Sequence, residues 1–321
     1  MLAIQAREAG GPEVLEAVQI ERPTPRPDQV LIRHEAIGVN FIDTYQRSGL
    51  YPMRYPAVLG QEAAGVVEAV GADVTRFKIG DRVAYNGPGG YAEASVAPAA
   101  RVVALPDGVS FDVAAASLLK GMTVEFLLRR CFPVKAGQTI LVHAAAGGVG
   151  TLMVQWAKTL GAIVIGTVGS DDKAALARSL GADHVILYRQ EDVAARVREI
   201  TGGVGVPVAY DSVGKDTFEG TLASLARRGV FVTFGNASGP VPAFEPARLQ
   251  RGGSLFLTRP TLVDYIATTE ELDESAGALF SLIAAGKLRV EIGQRFKLAD
   301  AHAAHEALHD RSTIGSTILM P

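Results

Sequence analysis

The chain has 321 residues, about twice a common domain length of ~150, so two domains are expected. Hydrophobic residues make up 48% and charged residues 20%, a globular balance that argues against disorder, and the net charge of −3 leaves no footprint for nucleic acid or anionic lipid. One cysteine, Cys131, can close no intrachain disulfide and build no cysteine-rich zinc cage.

The first residues, MLAIQAREAGGPEVLEA, have no basic start leading into an apolar run, and no stretch approaches the ~20 apolar residues of a membrane span. A reduced, soluble, cytoplasmic protein is the expectation. Over residues 1–118, short alternating segments at 29–36, 65–70 and 82–85 are punctuated by Gly and Pro, the pattern of an irregular all-β domain. The middle changes rhythm. A β-rich run at 139–143 (TILVH) precedes a helix at 151–160, where Leu152, Met153, Trp156, Ala157 and Leu160 recur at helical spacing until Gly161. The alternation continues with a strand at 163–168, a helix near 173–180 and a strand at 185–188. It runs on through a helix near 193–200, a strand at 206–211, a helix near 218–226, a strand at 230–234 and a last apolar run at 255–258. Six strands alternating with helices predict a doubly wound parallel sheet of the Rossmann type. The tail holds a helix near 270–285, a strand at 288–292, a helix near 300–309 and a closing strand at 315–319. These elements are too few for a core of their own and are expected to pack on the first domain.

The turn between the first Rossmann strand and its helix reads Ala144-Ala145-Ala146-Gly147-Gly148-Val149-Gly150. Aligned to G-x-G-x-x-G it places Ala145, Gly147 and Gly150 at the glycine positions. Gly147 admits the backbone to a pyrophosphate, and Gly150 admits the helix to the strand. The helix start aims free N–H groups at an anion. Such turns also serve packing alone, but the flanking strand, helix and further strand favour a dinucleotide. At the end of the second strand stand Gly169-Ser170-Asp171-Asp172-Lys173. The small pair leaves room for a 2′-phosphate that Lys173 can neutralise, so NADPH is preferred. Asp171 and Asp172 have two readings: turned inward onto a ribose, or opening the next helix where acids complement its dipole. The second is taken.

Further segments carry a resemblance: GGPEVL at 10–15, GVNFIDTYQRSGLYP at 38–52, LGQEAAG at 59–65, GDRVAY at 80–85, LKGMT at 119–123, GTVGS at 166–170, YDSVG at 210–214, FGNASG at 234–239 and TRP at 258–260. Together with AAAGGVG they resemble the zinc-free NADPH:quinone oxidoreductases, the zeta-crystallin-like branch of the medium-chain dehydrogenase/reductase superfamily. The resemblance implies an α/β chain: a GroES-like catalytic domain from 1–118 and 259–321, a Rossmann NADPH-binding domain from 119–258, and a homodimer joined near 255–258. Zinc-containing relatives keep a cysteine in the segment matching residues 38–41 and a histidine before the glutamate of G-H-E. This chain has Asn40 and Gln61 there, and amides are poor zinc ligands. No metal is expected. His302, His305 and His309 share one predicted helix face, but no further ligand accompanies them and they are read as packing residues. Cys131 is read as packing rather than as a nucleophile.

By the same resemblance, Asn40 and Tyr45 are the catalytic candidates. They match the segment that lines the nicotinamide and the acceptor, and each can donate a hydrogen bond to an acceptor oxygen. Tyr51 is a third candidate, and Tyr45 has an equal reading as a packed tyrosine. Phe41, Ile42, Asp43, Thr44 and Tyr45, with Lys120, Thr123 and Phe126, are implied near the nicotinamide half. Phe126 stands where relatives often carry tyrosine. Gly147, Gly148, Val149 and Gly150 belong to the pyrophosphate, and Gly169, Ser170, Lys173, Tyr188 and Arg311 to the adenosine 2′-phosphate. Ser212, Phe234 and Asn236 fall at strand carboxyl ends, where doubly wound sheets bind ligands. Arg259 has a structural and a cofactor reading.

The leading expectation is metal-independent reduction of a small-molecule quinone by NADPH, with no nucleic-acid or membrane partner. Two alternatives stand: reduction of an α,β-unsaturated carbonyl, and, from a different class, an NADPH-binding structural or RNA-binding protein. The absence of a basic stripe weighs against RNA.

Overall fold

The computed structural model describes residues 1–321. In chain order the strands and helices are β1 Leu2–Ala6, β2 Leu15–Gln19, β3 Gln29–Val39, α1 Phe41–Arg47, β4 Ala57–Val58, β5 Glu62–Val70, β6 Arg82–Asn86, β7 Ala94–Pro98, β8 Val102–Ala104 and α2 Phe111–Phe126. There follow β9 Thr139–Val142, α3 Gly148–Thr159, β10 Ile163–Val168, α4 Asp171–Ser179, β11 His184–Leu187, α5 Val193–Ile200, β12 Val206–Asp211, α6 Phe218–Ser224, β13 Leu225–Thr233, α7 Ala247–Arg251 and β14 Phe256–Thr258. The chain closes with α8 Leu262–Tyr265, α9 Thr269–Ala284, β15 Ile292–Lys297, α10 Ala301–His309 and β16 Ser316–Met320.

Two compact units emerge. The first comprises Met1–Met122, Ile266–Ala285 and Val290–Pro321, and the second Thr123–Tyr265 with Gly286–Arg289. Division at 122/123 and 265/266, rather than at 118/119 and 258/259, follows from side-chain commitments. Helix α2 runs through both 118/119 and 122/123, so its last turn belongs with the second unit. Tyr265 stacks on Phe126 with ring centroids 4.3 Å apart, and its carbonyl accepts from Arg130 Nη1 at 2.7 Å. Residues 286–289 join the second unit because Gln155 bonds both the N–H and the carbonyl of Arg289, at 2.8 and 2.9 Å.

The first unit holds a sheet of order β15-β16-β3-β5-β6-β8, with β7 also on β3, and a three-stranded sheet β2-β1-β4. Its core gathers Ile4, Val30, Ile32, Ile37, Val67, Tyr85 and Tyr91 with Ala304, Leu308 and Leu319 from the tail. The tail returns through β16, which pairs antiparallel with β3. Its other strand differs from expectation. The apolar run 288–292 is a connection whose Leu288 is buried, and the strand is the more polar Ile292–Lys297, whose exposure alternates residue by residue. An edge strand half in water carries polar residues on one face, so apolar content alone misplaced it.

The second unit is a six-stranded sheet of order β11-β10-β9-β12-β13-β14, every pair parallel. Counted from β9 as the first strand, this is the order 3-2-1-4-5-6 of a dinucleotide-binding fold. Leu141, Ile165, Ile186, Ala209 and Phe231 form its core beneath the helices. Strand β13 begins at Leu225, five residues before the expected start. Leu225 pairs with Val206 across an irregularity, where Arg227 and Arg228 are both exposed and Arg228 takes φ +63°, which hides the strand in a polar stretch.

Candidate active site

In the second unit, the turn from β9 into α3 is built for an anion. Ala145 N–H donates to Thr167 O at 3.0 Å and Gly147 N–H to Ala144 O at 2.9 Å, which pins the loop against β10. Ala144 takes φ +53°, the left-handed region, so the tight backbone sits one residue before the position aligned with the first glycine. A Cβ on Gly150 would lie 2.1 Å from Ala144 O and 2.8 Å from Ala145 Cα, so no other residue fits. Gly147 caps α3 with no side-chain hydrogen bond, and the first turn holds no acidic residue. The unpaired N–H groups at the start of this helix therefore meet no competing acceptor from their own cap. A pyrophosphate fits this turn.

A buried network underlies it. His143, next after β9, bonds Thr167 Oγ1 through Nδ1 at 3.0 Å and Thr221 Oγ1 through Nε2 at 2.9 Å. Asp211, ending β12, accepts from the N–H groups of Val213 and Gly214 at 2.7 and 3.1 Å and from Thr217 Oγ1 at 2.6 Å. Burial lowers the His143 pKa, against the opposing charge of Asp211. The network ties β9, β10 and β12 together where their loops leave the sheet.

Most other candidates of this unit follow the carboxyl ends of its strands. Gly169 and Ser170 follow β10, and Ser170 heads α4 without a side-chain cap. Asp171 and Asp172 occupy the first turn of α4, as their helix-opening reading expects. No acidic residue stands between the end of β10 and Ser170. Tyr188 follows β11, packed so that a Cβ on Gly169 would meet its hydroxyl at 2.8 Å. Beyond β13 and β14, Arg259 Nη1 donates to Thr233 Oγ1 at 3.2 Å and to Gly235 O at 3.0 Å. The Asn236 amide, oriented by its partners, donates to Gly235 O and accepts from Arg259 Nη2, each at 3.0 Å. Ser212 and Phe234 adjoin this cluster, with Phe234 N–H donating to Asp211 O at 2.8 Å. Phe126 lies inside the unit, stacked on Tyr265.

The first unit assembles a second cluster around α1. Asn40 heads the helix, and its Nδ2 donates to Glu62 Oε1 at 2.8 Å. Lys120 Nζ reaches the same oxygen at 3.0 Å. Phe41 and Tyr45 have ring centroids 6.2 Å apart, and Tyr45 and Tyr51 are 5.2 Å apart, both pairs tilted, with Phe41 exposed and Tyr45 buried. Thr44 bonds back to Phe41 O at 2.7 Å, within its own helix. Asp43 faces the interior: its Oδ2 accepts from Asn40 N–H at 2.8 Å and from Tyr91 Oη at 3.0 Å. Burial pushes the Asp43 pKa up to about 7, against the pull of those two hydrogen bonds. Arg311, also in this unit, follows α10 with φ +55°. Glu62, Tyr91, His143 and Asp211 were not singled out from sequence. A carboxylate within the small-residue run LGQEAAG was the available signal for Glu62.

Gln61 Nε2 bonds Gln46 Oε1 at 3.0 Å, an amide pair where a ligand set would need imidazole or thiolate. Of the three tail histidines, His305 is buried between Arg47 and Tyr91, while His302 and His309 are exposed. No group of three or more His, Cys, Asp or Glu stands in metal-holding geometry.

Residues 26–107 match the alcohol dehydrogenase GroES-like domain, and residues 148–281 match the zinc-binding dehydrogenase domain. The latter segment contains one histidine, His184, and no cysteine. Over 321 residues, 99% of each chain, the protein is 54% identical to a quinone oxidoreductase of Pseudomonas aeruginosa. The chain belongs to the quinone oxidoreductase family. Its two units are thus the GroES-like and Rossmann domains of the medium-chain dehydrogenase/reductase superfamily. Among quinone oxidoreductases of known structure, the Escherichia coli protein complexed with NADPH aligns with a TM-score of 0.99 and 49% identity, covering 100% of both chains. A 2-haloacrylate reductase of a Burkholderia species is 43% identical over 100% of this chain and 99% of its own.

Proposed function

We propose that this protein is an NADPH-dependent quinone reductase that works without a metal. The observation that carries this reading is whole-chain similarity to quinone oxidoreductases, joined to a β9–α3 turn whose Gly150 leaves no room for a side chain. NADPH, when bound, supplies the hydride that reduces the quinone.

This chain's residues divide the work. Gly147, Gly148, Val149 and Gly150 hold the pyrophosphate through backbone N–H groups. Gly169, Ser170, Lys173, Tyr188 and Arg311 favour the 2′-phosphate by space, hydroxyls and positive charge. Ser212, Phe234, Asn236 and Arg259, with Thr123, form further cofactor surface, and the Arg259–Asn236 bonds keep that loop in one conformation. Phe41, Ile42, Thr44, Tyr45, Asn40 and Lys120 serve the reacting end, where flat rings suit a planar acceptor. Asp43 and Phe126 support from within: one fixes the start of α1, the other anchors α8.

Metal independence is supported by Asn40 and Gln61, whose amides bond Glu62 and Gln46. A homodimer through β14 is supported by that strand's place at the sheet edge and by Phe256, 62% exposed upon it. No helix is long and apolar enough to cross a membrane, and the proposed setting is the cytoplasm.

The test follows NADPH oxidation with benzoquinone, a naphthoquinone and an enone on protein assayed for bound zinc. Quinone-dependent turnover by zinc-free protein is expected, and silence with all three would refute the reading. Enone reduction is the second reading, favoured by the likeness to a 2-haloacrylate reductase, and turnover of the enone alone would select it.

A further inference from the structure

Glu62 is fully buried at the start of β5, and three donors converge on it. Oε1 accepts from Asn40 Nδ2 and Lys120 Nζ, and Oε2 accepts from Leu119 N–H at 2.7 Å. Leu119 lies mid-helix in α2, where its N–H ordinarily serves the carbonyl of Ala115. A Cβ on Gly38 would lie 2.3 Å from both Ala115 O and Glu62 Oε1. The carboxylate is therefore wedged between β3 and α2, and glycine is what lets it in.

Such an arrangement is a poor way to stabilise a fold. Burying an ion pair has a desolvation cost that a well-packed apolar pair avoids. Here the side chains of Lys120 and Glu62 are 7% and 0% exposed. In that dry setting the ammonium's charge acts more strongly than it would in water. Lysine has three donors, and Glu62 takes one. Asn40 shares the acceptor atom with Lys120 and opens α1, from which the aromatic surfaces of Phe41 and Tyr45 continue. A cation thus stands beside the head of α1, whose first ring, Phe41, is exposed.

We propose that Lys120, anchored by Glu62, stabilises the oxyanion that develops on the acceptor during reduction. The inference rests on the quinone reductase reading. The acceptor gains the two electrons and one hydrogen of the hydride, NADPH becomes NADP+, and one acceptor oxygen becomes anionic. The Lys120 ammonium neutralises that oxygen, and water supplies the proton that completes the hydroquinone. Glu62 is a positioning residue: it touches Lys120 and Asn40 and sets where their remaining donors lie.

The test compares wild type with E62Q/K120M, in which a neutral pair of similar size replaces the ion pair, and with Glu62→Gln alone. Without cofactor, para-nitrophenol is titrated into each protein and followed by absorbance. Wild type is expected to shift bound phenol towards its coloured anion relative to bulk solution, and E62Q/K120M to lose the shift. With NADPH at saturation, the double variant should lose roughly tenfold in kcat with benzoquinone and roughly a hundredfold with an enone, whose reduced anion is more basic. Glu62→Gln should lose less, in the same order. Equal losses with both acceptors, weakened NADPH binding at unchanged kcat, or no shift of the phenol in wild type would each overturn the proposal. If the double variant does not fold, Glu62→Gln decides by the same acceptor dependence. Wild type inactive with every acceptor refutes the quinone reductase reading separately, and the phenol titration still decides the cation's role.

Discussion

Tyr91 donates its hydroxyl to Asp43 Oδ2 across 3.0 Å, at the end of a directed chain of hydrogen bonds. Arg47 Nη1 can only donate, so His305 Nδ1, 3.1 Å away, accepts. His305 Nε2 then carries the proton and donates to Tyr91 Oη at 2.9 Å. The other Asp43 oxygen, Oδ1, is buried without a hydrogen-bond partner. Burial makes this carboxyl costly to ionise and pushes its pKa up to about 7.

Stability should therefore depend on Asp43 with a definite sign. Its folded pKa, about 7, lies above the ordinary 3.8, mainly through burial. The folded state binds the extra proton, so this stabilisation is full below 3.8 and is lost as pH rises through 7. Asp43→Asn removes the titration. Relative to wild type it should gain stability between those limits, on the order of 4 kcal/mol at most. Urea denaturation of both proteins across pH checks this, and parallel profiles would refute it.

His305 should act in the opposite direction. Burial, then the Arg47 charge, lowers its pKa to about 3 from 6.5, so stability is lost as pH falls below 6.5. His305→Gln should make the acid limb of the stability profile shallower while lowering stability at neutral pH by roughly 1–3 kcal/mol, because Tyr91 and Arg47 lose a partner. The same denaturation series reads both effects.

Gly150→Ala puts a methyl where Ala144 O lies 2.1 Å away. The β9–α3 turn must open, and NADPH affinity measured by calorimetry should fall at least roughly tenfold. Unchanged affinity would remove this turn from the cofactor site.

Lys173→Ala tests the choice of nucleotide. With the 2′-phosphate relying on charge after Ser170, the ratio of catalytic efficiencies for NADPH over NADH should fall by roughly tenfold. A ratio that stays constant would move the selectivity elsewhere.

Phe256→Glu tests the dimer. A charge on an exposed edge-strand position opposes apolar association, so sedimentation should shift towards the monomer. A monomeric wild type, or a variant that remains dimeric, would refute association through β14.

Much of the Rossmann unit was legible because its signals are local. The strands at 163–168 and 206–211 and the helix at 193–200 fall where hydrophobic rhythm places them. Errors arose where exposure is uneven. Polar β15 looks like a connection because one side of it faces water, and the start of β13 does because adjacent arginines are exposed at its irregularity. Within the candidate site, Gly147 and Gly150 were legible as a motif. Glu62 was not, because nothing near residue 62 indicates that Asn40 and Lys120 will converge on it.

By itself, the sequence determined the class of chemistry. Gly-rich turn spacing dictates backbone approach to a phosphate, and the family resemblance is carried by short segments such as LGQEAAG and YDSVG. Both are properties of a few neighbouring residues. The tertiary structure alone decided the electrostatics. Glu62 meets Lys120 from 58 residues away, and Tyr91 meets His305 from 214 residues away. Charge state depends on burial and on which partners arrive, and both exist only once the chain has folded.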